Sequence, residues 1–184
     1  ANRTFTHTGE LLAISTPALN ANDTAIVTVY YGGAPVTDPS GFGGFYMTNT
    51  YAYNIGVAFA DDPHNYGRVW FPCVDNFVDR ATYETYITTA ATDKAFCGGL
   101  LMDSVSAGGK MVWHWLLNES IPTYLASVAV SNYTSISYTY NGIAGDFPVI
   151  LAVRPTDSAR ISLVFANLSD AIGAFEQAWG AQPF

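Results

Sequence analysis

The residues with the most evident chemistry stand together. Asp61, Asp62 and His64 lie in a polar stretch, residues 60–67. Two carboxylates and an imidazole are a candidate ligand set, but a metal site needs more donors than this stretch supplies alone. The Asp62-Pro63 step imposes an extended or turn geometry, so an exposed turn is the plain alternative. Cys73 and Cys97 are the only thiols, too few for a disulfide framework or a zinc site. One bridge between neighbouring strands and two unpaired buried thiols both fit the sequence. His7, His64 and His114 show no nucleophile–base spacing. His114 has no matching Cys, His or Asp and reads as a strand histidine facing a neighbour. The glycine-rich run 38–44 would cradle a phosphate only if a helix followed directly. The strand-like Phe45-Tyr46-Met47-Thr48 follows instead, so the run reads as a turn. Trp113 and Trp115 could form a sugar platform, but packing is the stronger reading. The chain contains no His-Glu-x-x-His, Cys-x-x-Cys or Gly-x-Ser-x-Gly.

The elements that must position these residues are mostly strands. Residues 10–31 read as two strands around a turn, the second being the β-branched run 24–31. Residues 51–59 form a strand, with Gly56 marking a bulge or a close backbone approach. Residues 68–71 read as a short aromatic strand broken by Pro72-Cys73. Residues 80–89 alternate as a half-buried strand, and residues 96–104 form another. Gly108-Gly109 signals a hairpin into the alternating run 110–118. Residues 122–130 and 132–141 continue the β pattern, and the apolar run 147–153 suits a strand buried on both faces. Then the period changes. Pro155-Thr156-Asp157 starts a helix, and apolar residues at 161, 164, 165, 168, 172, 175 and 179 mark one face of about six turns. Gly180 and Pro183 end it.

Composition narrows the class. The 184 residues are 12% charged and 15% aromatic, with a net charge of −8 and seven Lys and Arg in total. Such a chain folds. With no basic cluster, neither nucleic acid nor an anionic membrane surface is an expected partner. No run of 18 apolar residues exists, so no membrane span is expected. Few Lys, many Thr, Tyr, Asn and Gly and an acidic balance point to an exported protein, periplasmic, envelope-bound or extracellular. The five Asn-x-Ser/Thr sequons, at Asn2, Asn22, Asn118, Asn132 and Asn167, matter only in a eukaryotic secretory pathway.

Three ordered stretches carry a resemblance. The first is Gly67-Arg68-Val69-Trp70-Phe71-Pro72-Cys73-Val74-Asp75, followed by Asp79-Arg80-Ala81-Thr82-Tyr83. The second is Ile121-Pro122-Thr123-Tyr124-Leu125. The third is Val153-Arg154-Pro155 with the helix ending Ala174-Phe175-Glu176-Gln177-Ala178-Trp179-Gly180. Together the chain resembles the N-terminal domain region of the zinc metallopeptidase family of aminopeptidase N and leukotriene hydrolase, the gluzincin aminopeptidases. It departs at Phe77, where the family often has Pro.

The resemblance implies a mainly β fold: a saddle-like β-sandwich domain of the aminopeptidase N type, followed by one strand and a long C-terminal α-helix. Residues 1–145 would be part of that β domain and residues 146–184 the beginning of a thermolysin-like catalytic domain. The zinc ligands, the glutamate base, the tyrosine and the Gly-x-Met-Glu-Asn loop would lie beyond residue 184. The chain by itself is then expected to hold no catalytic residue, no metal and no cofactor, and to be inactive. Its partners would be the downstream catalytic domain and a peptide substrate. In the family a Gln or Glu shortly before the Gly-x-Arg element helps to hold the substrate's free α-amino group. That position falls on Pro63 here; one residue away, Asp62 is the candidate and Asp61 the reserve. Two other readings stand beside this one: a secreted β-sandwich that binds glycan or protein through its aromatics, and a catalytically inactive scaffold.

Overall fold

The computed structural model describes residues 3–182. The Asn2 sequon and Pro183 lie outside them. In chain order the strands are β1 (Phe5–Thr8), β2 (Leu11–Ile14), β3 (Gly43–Met47), β4 (Tyr51–Ala58), β5 (Arg80–Ala90), β6 (Lys94–Cys97) and β7 (Leu100–Ala107). They continue with β8 (Lys110–Pro122), β9 (Val128–Ser131), β10 (Thr134–Gly142) and β11 (Gly145–Val153). Among the described residues two α-helices follow the strands, α1 (Ile161–Val164) and α2 (Leu168–Trp179). The fold is mainly β with a C-terminal helix, as expected.

All pairing is antiparallel. A four-stranded sheet runs β3-β4-β9-β6 and a three-stranded one runs β5-β8-β7. The hairpins β1-β2 and β10-β11 stand as two-stranded sheets. The alternation read in residues 80–89 and 110–118 comes out as register: Ile87 faces Trp113 and Thr85 faces Trp115 across β5 and β8. Gly108 and Gly109 both take positive φ, 57° and 76°, as a tight hairpin turn requires. The two larger sheets meet through Trp115, whose indole N–H donates to the Ala95 carbonyl at 3.1 Å. Trp115, Leu117, Ile121, Ala126 and Val128 are buried there.

Several expected elements differ. Residues 24–31 form no strand, and Ile26 and Tyr30 are 93% and 94% exposed. β-propensity describes fitness for a pleated, half-buried surface, and this segment has no ladder partner. Residues 68–71 are not a strand: Gly67–Val69 is a 3-10 turn. The run 96–104 is divided between β6 and β7, which belong to different sheets. Gly98-Gly99 makes the crossing, and a side chain at Gly99 (φ 91°) would lie 2.2 Å from the Leu116 carbonyl oxygen. Thr123–Leu125 is another 3-10 turn, so the strand read over 122–130 shrinks to β9. β11 pairs with β10 alone and is buried on neither face throughout. The long helix is also corrected. Pro155–Arg160 is 3-10, α1 lasts one turn, and the 12 residues of α2 follow a break at 165–167. Ile161 is buried, but Val164 and Phe165 on the expected apolar face are exposed, so the face is not packed continuously, and helices in proteins owe most of their stability to such packing.

The domain boundary expected at 145/146 falls at the start of β11. α2 lies on the β10-β11 hairpin, where Glu176 is buried and accepts the Ile143 backbone N–H at 3.1 Å.

Candidate functional site

The loop holding Asp61 and Asp62 leaves the end of β4 and folds back on it. Ala58 N–H donates to the His64 carbonyl (3.0 Å), and Tyr66 N–H to the Gly56 carbonyl (2.7 Å). Asp38, from the glycine-rich run, holds the loop's outgoing side by accepting the Phe59 N–H at 2.9 Å. That run is therefore the turn expected, and its acid has a structural task. A hydrogen bond from Ser40 is the main reason the Asp38 carboxyl titrates below its ordinary value.

The returning side is held by Arg68. Its Nη1 donates to Asp75 Oδ2 (2.9 Å) and to the Asn65 carbonyl (3.0 Å). Its Nε donates to Glu10 (3.0 Å) and its Nη2 to Asp61. The Tyr66 ring lies 5.2 Å from the guanidinium carbon. Burial alone would lower the Arg68 pKa; the hydrogen bonds to Asp75, Glu10 and Asp61 outweigh it and hold it above the ordinary arginine value. Asp75 also accepts the backbone N–H groups of Gly67 and Arg68, both at 3.2 Å, and the Thr123 hydroxyl at 2.9 Å. Burial would raise its pKa, and these bonds bring it below its ordinary value instead. Gly67 sits so close that a side chain there would lie 3.1 Å from the Thr123 carbonyl oxygen.

The sequence-derived candidates thus separate. Asp61 is half-buried and ion-paired. Asp62 is exposed and has no hydrogen-bond or ion-pair partner among the described residues. His64 is exposed, with its ring edge-on to Phe59 at 6.3 Å. Among the described residues no group of three or more His, Cys, Asp or Glu converges as a metal site. Cys73 and Cys97 are free, and burial pushes both thiols up to about 12. Thiols held protonated in this way are poor nucleophiles. Cys73 is therefore packing. The Trp113/Trp115 pair is packing too: Trp113 donates to Thr89 Oγ1 (3.1 Å) and Trp115 is buried. His114 does face neighbours, with Nε2 at 2.9 Å from Glu84, Nδ1 at 3.5 Å from Asp103, and its ring stacked on Tyr86.

The first two stretches quoted above meet at the Asp75–Thr123 hydrogen bond, 48 residues apart in sequence. No family model matches the sequence, and no curated protein sequence does. Solved structures do match. A variant of an M1 zinc metallopeptidase from Deinococcus radiodurans, bound to a Tyr-Ser-Ala substrate, has a TM-score of 0.67 at 20% identity over 86% of this chain. A two-domain M1 zinc metallopeptidase variant bound to L-arginine gives 0.68 at 20% identity over 93%. Aminopeptidase A from Legionella pneumophila, in complex with aspartic acid, gives 0.56 at 22% over 74%. The fold is that of the M1 zinc metallopeptidases, in their N-terminal β region. The chain spans 39%, 41% and 16% of the lengths of these three structures. Zinc in an M1 enzyme needs several converging donors, and the described residues do not offer them.

Within this M1 fold the sequence reading undervalued Arg68, Asp75, Asp38 and Glu10. An arginine in an aromatic, charge-poor stretch with an acid seven residues on was a usable signal for the Arg68–Asp75 pair. Glu10, 58 residues before Arg68, gave none.

Proposed function

We propose that this chain is the non-catalytic N-terminal part of a zinc-dependent aminopeptidase-type metallopeptidase. In this reading it shapes the substrate entrance, and Asp62 receives the substrate's free α-amino group. The observation that carries the Asp62 role is the contrast within the loop: the Asp61 side chain is ion-paired to Arg68, while the Asp62 carboxylate is exposed and, among the described residues, unpaired. A carboxylate is the natural counterpart of an ammonium, and the bond gains strength where water is excluded. The ligands named with the similar structures, a Tyr-Ser-Ala peptide, L-arginine and aspartic acid, each carry a free α-amino group.

Two experiments test this. The coding sequence past residue 184 is expected to contain the Met-Glu-Asn loop and then His-Glu-x-x-His; their absence, or substituted zinc ligands, would favour an inactive scaffold. In the intact peptidase, Asp62→Asn should raise KM for aminoacyl substrates about tenfold or more, the worth of a charge-assisted hydrogen bond. Unchanged kinetics would remove Asp62 from the site. The glycan-binding alternative loses support from the tryptophan pair, because Trp115 is buried and presents no ring face to a sugar.

A further inference from the structure

We propose that Arg68 is a positioning residue that sorts the two adjacent carboxylates of the loop, engaging Asp61 as a strut and leaving Asp62 without a partner among the described residues. This rests on the reading of Asp62 given above. The sequence ranks Asp62 before Asp61 only by register and by the proline that follows Asp62, and does not show which carboxylate is engaged. The structure does so through a residue of graded depth. Asp75, whose side chain is 5% exposed, fixes the inner side of the guanidinium. Asp61, at 31%, takes Nη2, and Glu10, at 75%, takes Nε at the surface. The Nη1 bond to the Asn65 carbonyl ties the same group to the loop's returning backbone.

A single cation therefore holds the loop at its side chain and at its main chain. Two free carboxylates side by side would repel each other and divide an incoming ammonium between two geometries. With Asp61 engaged, the ammonium meets one acceptor in one position. Arg68 does not repel it, because three carboxylates face one guanidinium and the cluster stays negative. Asp61 thus acts through Asp62 and does not touch the substrate.

Arg68→Met strips the buried Asp75 of its partner and is expected to unfold the chain, so the test uses Asp61→Ala. In this chain alone, amide exchange over residues 60–66 should quicken about tenfold or more, with the melting temperature shifted by only a few degrees. In the intact peptidase, KM for aminoacyl substrates should rise about threefold to tenfold with kcat little changed. Because Asp61 works through Asp62, the double variant Asp61→Ala/Asp62→Asn should be no worse than Asp62→Asn alone. If Asp61→Ala adds its full factor in the double variant, Asp61 is itself a ligand and the sorting is overturned. Unchanged amide exchange in Asp61→Ala overturns the strut. If Asp62→Asn leaves KM unchanged while exchange quickens in Asp61→Ala, the amine reading fails and the strut stands as structure only.

Discussion

Asp75 concentrates the polar bonding of this protein in one side chain. It accepts from two backbone N–H groups, a guanidinium and a hydroxyl, and it is nearly sealed from water. Removing one partner of such a buried pair typically costs about 3–5 kcal/mol, because the other charge is left stranded. Its native pKa lies below its ordinary 3.8. The sign follows from linkage: the unfolded chain binds the proton first, so the stability Asp75 supplies is complete above that ordinary value and is lost as pH falls through the native one. The melting temperature is expected to drop steeply below about pH 4. Asp75→Asn should start lower at pH 7 and show a shallower acid slope. Parallel slopes in thermal melts from pH 7 to pH 2.5 would count against this role.

Strands and turns here are located by close backbone approaches as much as by apolar pattern. Gly56 illustrates it. A Cβ there would stand 1.9 Å from the Tyr124 carbonyl oxygen, so β4 and the 3-10 turn Thr123–Leu125 touch only because the position is glycine. Gly56→Ala should destabilise the chain by about 1–3 kcal/mol, the usual cost of overpacking, read from the denaturant midpoint. An unchanged midpoint would mean that the turn yields freely. The effect should spread to the candidate site, since Thr123 in that turn holds Asp75 and Gly56 receives the Tyr66 N–H.

Among the described residues the molecule leaves large apolar side chains bare along several stretches. Residues 24–31, with Ile26 and Tyr30 almost fully exposed, are one; strand β7, with Leu100, Met102 and Val105, is another; and the C-terminal helical region, with Leu163, Phe175 and Trp179, is a third. Large apolar side chains left in water favour association. The chain is therefore expected to bind a hydrophobic dye while folded, and to sediment as larger species as its concentration rises. A monomer with no dye binding across that range would contradict the exposure seen here. The net charge of −8 opposes the effect, so added salt should strengthen it.

Much of the fold was legible. The alternation of 80–89 and 110–118 fixed which faces turn inward, because a strand's side-chain period is two whatever its partner. The glycines of the β7-β8 hairpin named their own turn, because both need positive φ. The Asp61-Asp62 loop and the Gly67–Asp75 stretch were located as the region of interest. Other features depended on partners distant in sequence. Residues 24–31 read as a strand but found no ladder, and residues 68–71 read as a strand but are bent into a turn by Asp75 and Thr123. The helix broke at 165–167, where apolar side chains lacked a surface to cover them. The sequence by itself determined composition, periodicity and local turn chemistry, each a property of neighbours along the chain. The tertiary structure alone decided that Arg68 would take Asp61 and leave Asp62, because that choice is made by Glu10, Asn65 and Asp75 converging in space on one guanidinium.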